Sequence, residues 1–235
     1  MDASEKIAYD HFAHRGFTSI VYEPDGNIPP DLLLDGSIAV EVRRLNQNYF
    51  DVAGTQGLEQ VAIPLWKKVG ALLASMGPSK SGESWFVHFR YGRPVEPWRT
   101  LEPKLRAGLS NFINSSNKGR GIVARGQGFE LEVFCRTSTP HAAIFVMAGC
   151  SDDESGGWLL SEMETNIRYC ASEKERKIAN VRPKYSTWWL ALVDHIGYGL
   201  DDFDREMFRE QVSIQHGWDK IILINPLDHT RGFDI

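Results

Sequence analysis

Pro29-Pro30-Asp31-Leu32-Leu33-Leu34-Asp35-Gly36-Ser37-Ile38-Ala39-Val40-Glu41-Val42-Arg43 sets an Asp and a Glu on two short apolar strands joined by a turn. Alternation places Ile38, Val40 and Val42 on one side and Ser37, Ala39, Glu41 and Arg43 on the other, so acid and base leave from one face. Facing antiparallel strands bring Asp31 to that face only when the loop has an odd number of residues, because 31 and 41 add to an even number. A two-residue Asp35-Gly36 turn fails this test. A three-residue loop of Leu34, Asp35 and Gly36, with Gly36 left-handed and a bulge, sets Asp31 opposite Ala39 and diagonal to Glu41. Two carboxylates so placed offer hard oxygen ligands to one Mg²⁺.

Working outward, Ser4 caps an expected helix that carries Glu5, Ala8, Tyr9 and Phe12 on one face and stops at Gly16. Residues 18–22 read as a strand and Asp25-Gly26-Asn27 as a turn. After the acidic hairpin, Pro64 starts or kinks a helix with the stripe Leu65, Val69, Leu72, Leu73 and Met76, and residues 85–91 read as a strand. The order is α-β-β-β-α-β. Beyond Gly92 the pattern predicts a helix over 101–113, strands over 129–136 and 142–148, and a long helix over 161–179. It closes with strands over 187–194 and 220–224 around a helix at 202–212. The run from Gly119 to Gly128 lacks the G-K-[S/T] ending of a phosphate loop and reads as a hairpin or loop. The polar stretches 79–83 and 151–157 read as exposed loops and not as linkers. The chain is therefore expected to be a single α/β domain over 1–235, with its core in 1–92 and an α+β extension in 93–235.

A hydrophobic content of 42% is enough for a full core, and no apolar run is long enough to span a bilayer. The stretch Met1-Asp2-Ala3-Ser4-Glu5-Lys6 lacks the basic and apolar regions of a secretory signal, which makes a cytoplasmic protein the expectation. Cys135, Cys150 and Cys170 are odd in number and widely spaced, so they read as reduced thiols. The seven histidines show no metal-ligand spacing; His11 and His14 lie three apart on the first helix without a third ligand nearby. A net charge of −5 argues against a protein that coats nucleic acid, yet two local basic strips exist, over 118–125 and 174–184.

Pro30-Asp31 followed by Glu41-Val42-Arg43, behind a helix that opens with Glu5, resembles the PD-(D/E)XK nuclease superfamily, with Arg43 in place of the motif Lys. The resemblance implies a restriction-endonuclease-like core, a central mixed sheet flanked by helices. It also implies Mg²⁺-dependent (or Mn²⁺-dependent) hydrolysis of phosphodiester bonds, with DNA as the expected partner and no membrane. A homodimer is left open. Asp31, Glu41 and the Val42 carbonyl would be the metal ligands and Glu5 would complete the site. Arg43 would stand where the motif Lys orients water and stabilises charge, although a guanidinium is planar, bulkier and never deprotonated. The alternative is a nuclease-fold module whose site has decayed at Arg43 and which binds nucleic acid or protein.

Overall fold

The computed structural model describes residues 1–52, 54–79, 82–137 and 141–235. The chain divides into two compact units, residues 1–48 with 156–235, and residues 49–155.

The first unit is a six-stranded mixed sheet between helices. Its elements are α1 (Ala3–His14), β1 (Ile20–Tyr22), β2 (Leu32–Leu34) and β3 (Ile38–Leu45) before the second unit. After it come α4 (Leu159–Ile178), β10 (Thr187–Asp194), α5 (Asp202–Gln211), β11 (Lys220–Ile224) and β12 (Gly232–Asp234). The strand order is β1-β2-β3-β10-β11-β12, parallel between β3, β10 and β11 and antiparallel toward both edges. The two faces follow from alternation along each strand. Val40, Val42, Ala191, Val193, Ile222 and Ile224 pack with Ala8 and Phe12 of α1. Ala39, Leu45, Trp188, Leu190, Leu192, Ile221 and Leu223 pack on the opposite face with α4, and with Phe208 of α5. Three central strands buried on both faces explain their near-continuous apolar runs.

α1 starts two residues earlier than the Ser4 cap implies. The Asp2 side chain accepts the Glu5 N–H at 2.8 Å and the Glu5 carboxylate accepts the Asp2 N–H at 2.6 Å, a reciprocal capping box. The β2–β3 loop is odd in length, as parity requires, but it comprises Asp35, Gly36 and Ser37. Both Asp35 (φ 45°) and Gly36 (φ 72°) are left-handed, and the loop lies one residue further along the chain than expected, which shifts the cross-strand pairing by two residues. Leu34 pairs with Ile38 and Leu32 with Val40, so Asp31 falls level with Glu41 and not with Ala39.

The second unit opens with a small hairpin, β4 (Asn48–Asp51) and β5 (Gly54–Gly57), followed by α2 (Glu59–Ser75). β6 (Ser84–Tyr91), α3 (Trp98–Asn114), β7 (Gly121–Gly126), β8 (Phe129–Thr137) and β9 (Phe145–Asp152) complete it. The four longer strands form a separate sheet in the order β7-β8-β6-β9. Leu65, Val69, Leu72 and Leu73 of α2 and Leu101, Leu105 and Leu109 of α3 share one core with Trp85, Val87, Phe89 and Tyr91. Gly108 lets α3 approach β7, since a Cβ there would lie 2.2 Å from the Val123 carbonyl oxygen.

The sheets thus divide the chain differently from a core in 1–92 and an extension in 93–235. The strand at 85–91 pairs with β8 and β9, and the strand that joins β3 is β10, with Thr187 beside Ile38 and Asp194 beside Leu45. The stretch 151–157, expected to be a loop, carries the chain back to the first unit. Of the expected loop at 79–83, residues 80 and 81 lie outside the described residues.

Candidate functional site

The candidate centre forms where β2 stops and β3 continues. Asp31 Oδ2 accepts the Val42 N–H at 2.7 Å and so replaces the missing strand partner. A strand residue turns its N–H and C=O to the same edge, so the Val42 carbonyl also looks toward Asp31. Glu41 leaves the sheet on the face covered by α4 and is completely buried. Its Oε1 has no hydrogen-bond partner among the described residues.

α4 supplies the counter-charge. Lys174 Nζ donates to Glu41 Oε2 at 2.7 Å and reaches Asp31 Oδ2 at 3.4 Å, while Lys177 Nζ lies 3.5 Å from Glu41 Oε2. Burial pushes the Glu41 carboxyl above its ordinary value, and the Asp31 charge adds to this against the opposing pull of Lys174 and Lys177. Burial also disfavours the Lys174 ammonium, but Glu41 and Asp31 outweigh it and the pKa is raised. The group opens to solvent through Asp31 and Lys177, whose side chains are 18% and 48% exposed. A buried carboxylate with a free lone pair, a second carboxylate at the rim and an ammonium held between them is costly to fold, and such groups cluster at functional sites.

The other expected residues go elsewhere. Arg43 does leave β3 on the Glu41 face, but its guanidinium pairs with Glu173 and lies 5.3 Å over the Tyr169 ring. The Arg43 side chain is long enough to pass the carboxylates and reach α4. Glu5 is held by the α1 cap and by the Tyr22 hydroxyl, which donates to it at 3.1 Å. Tyr22 pairs with Leu32, whose side chain faces α1, so Glu5 sits across the sheet from Asp31 and Glu41. Among the described residues no group of three His, Cys, Asp or Glu side chains is close enough to hold a metal ion. Asp31, Glu41 and the Val42 carbonyl remain as a set of oxygen donors, and the orphaned Glu41 Oε1 fits the hard-ligand chemistry of Mg²⁺.

Lys174 was legible only as part of a basic strip. Its signal is periodicity: Met163, Ile167, Cys170, Ala171, Lys174 and Ile178 form the buried stripe of α4, and a Lys in such a stripe needs a buried partner. Comparison of the chain with protein-family models, with curated proteins and with solved structures returns no match.

Proposed function

We propose that the first unit is a metal-dependent phosphodiesterase centre of the PD-(D/E)XK type, acting on nucleic acid and in the first instance on DNA. The observation that carries this reading is the 2.7 Å contact of Lys174 with Glu41, because it supplies from α4 the cation sought at Arg43. Topology supports it. With residues 49–155 set aside, the first six α-helices and β-strands run α1-β1-β2-β3-α4-β10, the α-β-β-β-α-β order that the resemblance implies.

Asp31, Glu41 and the Val42 carbonyl would hold a Mg²⁺ or Mn²⁺ ion. Bound there, the ion would polarise a phosphodiester and lower the pKa of an attacking water. Lys174 holds the two carboxylates near one another, and would turn toward the phosphoryl oxygens as negative charge develops on them. Lys177, half in solvent, meets the incoming phosphate first. Arg43 and Glu5 act on α4 and on the α1 cap and have no chemical role.

A second reading, the decayed module that binds nucleic acid or protein, is favoured by the reach of Lys174 to both carboxylates, which neutralises them without metal. Cleavage of plasmid, linear and single-stranded DNA with Mg²⁺ and with Mn²⁺ decides between them. Activity lost in Glu41→Ala and in Lys174→Ala, but kept within about tenfold in Arg43→Ala, supports the enzyme. A wild type inert toward every substrate while still retarding DNA supports the module.

A further inference from the structure

A cleft of about 420 Å³ opens at the β12 edge of the first unit, away from Asp31 and Glu41, with β10 and β11 lying between β3 and β12. Its walls include His11 and His14 from α1, Arg15 at the C-terminal cap of that helix, Arg205 and Arg209 from α5, and Asp234 from β12. In a chain of net charge −5 three arginines, Arg15, Arg205 and Arg209, meet there.

The single carboxylate in the cleft is already engaged. Asp234 accepts two hydrogen bonds from Arg15, at 2.8 and 3.2 Å, and one from Lys220 at 3.1 Å. Arg205 and Arg209 lie over the Phe233 ring at 5.6 and 4.8 Å, and among the described residues neither is paired with a carboxylate. Arg205 Nε is buried without a hydrogen-bond partner among those residues. Two guanidiniums stacked on one ring repel each other, and an oxyanion accepting from both forks relieves that repulsion.

His11 narrows the choice of anion. The ring is 1% exposed, and its Nδ1 lies 2.6 Å from the His229 carbonyl oxygen. A carbonyl only accepts, so Nδ1 carries the proton and the neutral ring has its lone pair on Nε2. That Nε2 is buried with no partner among the described residues. Gly232 lets the ring lie close against β12, since a Cβ there would lie 2.5 Å from Cε1 and 2.9 Å from Nε2. Two donors on one side and one buried acceptor on the other call for a ligand that is both an oxyanion and an O–H donor. A phosphate monoester is such a ligand when the contact with Nε2 retains its second proton, which has a pKa of about 6; sulfate has the shape and the charge but no proton to retain, and a carboxylate lacks the third arm. The cleft is also larger than one phosphate and within the usual range for small-molecule sites.

We propose that this cleft binds a phosphate group carried on a larger molecule, with Arg205 and Arg209 as donors to its oxyanion and His11 Nε2 as acceptor of its P–OH. The site is independent of the carboxylate centre and stands whether or not that centre is catalytic. Its test is the melting temperature of the full chain in inorganic phosphate, in sulfate and in chloride at matched ionic strength. Phosphate should raise it more than sulfate, and the excess should vanish in Arg209→Gln, an exposed position whose replacement leaves the core untouched. Arg205→Gln should weaken binding of a phosphomonoester such as AMP about tenfold by calorimetry. Equal responses to phosphate and sulfate, or an undiminished phosphate response in Arg209→Gln, would overturn the proposal and reduce the effect to general salt exclusion. A pair of oligonucleotides with and without a 5′-phosphate then separates the two sources of the ligand. Preference for the phosphorylated end that is lost in Arg209→Gln assigns a nucleic-acid terminus, whereas AMP binding without that preference assigns a small phosphorylated molecule.

Discussion

Lys174 Nζ and Glu41 Oε2 meet at 2.7 Å with side chains that are 10% and 0% exposed. A pair this deep has lost most of its hydration, and removing one partner strands the other charge. Lys174→Met should therefore cost about 3–5 kcal/mol, well above the ~1 kcal/mol of an exposed pair. The double variant Glu41→Gln with Lys174→Met should recover most of that loss, because no fully buried charge is then left unpaired and Asp31 lies at the solvent rim. Urea unfolding of the three proteins measures both values. A Lys174→Met cost in the range of a surface pair would show that the group is solvated.

The same burial sets a pH dependence. Glu41 holds its proton above the ordinary 4.5 because burial outweighs Lys174 and Lys177. The native state thus keeps a proton that the unfolded state has released, so this group favours folding below 4.5 and loses that contribution as pH rises through the raised value. Asp234 runs the other way: burial pushes it up, but Arg15 and Lys220 outweigh burial and hold it below 3.8. Its contribution is present above 3.8 and is lost as pH falls through the lowered value. Glu41→Gln should therefore gain on the wild type as pH climbs from 4.5 toward neutrality, read as the difference between their urea midpoints at each pH. A difference independent of pH would contradict the burial of an ionisable Glu41.

Metal binding and Lys174 compete for the same oxygens. If the carboxylates hold a divalent ion, Lys174→Ala should bind Mn²⁺ more tightly than the wild type by about tenfold or more while losing cleavage, and Asp31→Asn should bind none. Calorimetry reads the affinities separately from the chemistry. Absence of Mn²⁺ heat in both the wild type and Lys174→Ala would remove the metal from the proposed mechanism.

The acidic hairpin was legible because its constraints are local: alternation fixes the Glu41 face and parity fixes an odd loop. The exact register was not, since Ser37 takes the place of Leu34 in the loop through a left-handed Asp35 that composition alone does not demand. Glu5 was visible as an acid opening a helix, and the Asp2-Ala3-Ser4-Glu5 spacing already accounts for it as a capping box. The partner of β3 could not be read, because Thr187 and Ile38 lie far apart in sequence and parallel pairing leaves no local mark. The apolar strand at 85–91 filled that place by proximity. Arg43 shows the remaining gap: alternation gives the face a side chain leaves from, while its length and Glu173 on α4 decide where its charge ends.

The last prediction concerns the second unit. Its two junctions adjoin in space: the Gln47 amide donates to the Gly156 carbonyl at 3.0 Å and its Oε1 accepts the Gly156 N–H at 3.4 Å. Asn48 is anchored there too, with its backbone N–H donating to Asn166 Oδ1 at 3.0 Å and its side-chain amide to the same oxygen at 2.8 Å. Chain ends held this close let a segment be removed with little loop-closure cost, since a short linker replaces a folded insertion. The core of the first unit draws on α1, β3, α4, β10, α5, β11 and β12, and among the described residues none of its buried apolar side chains falls within 49–155. A chain with residues 49–155 replaced by a short Gly-Ser linker should therefore fold cooperatively, and circular dichroism should report both its helices and its sheet. It should also retain the Lys174→Met penalty. Aggregation of this chain, or a non-cooperative melt, would mean that the first unit depends on the inserted one for its stability.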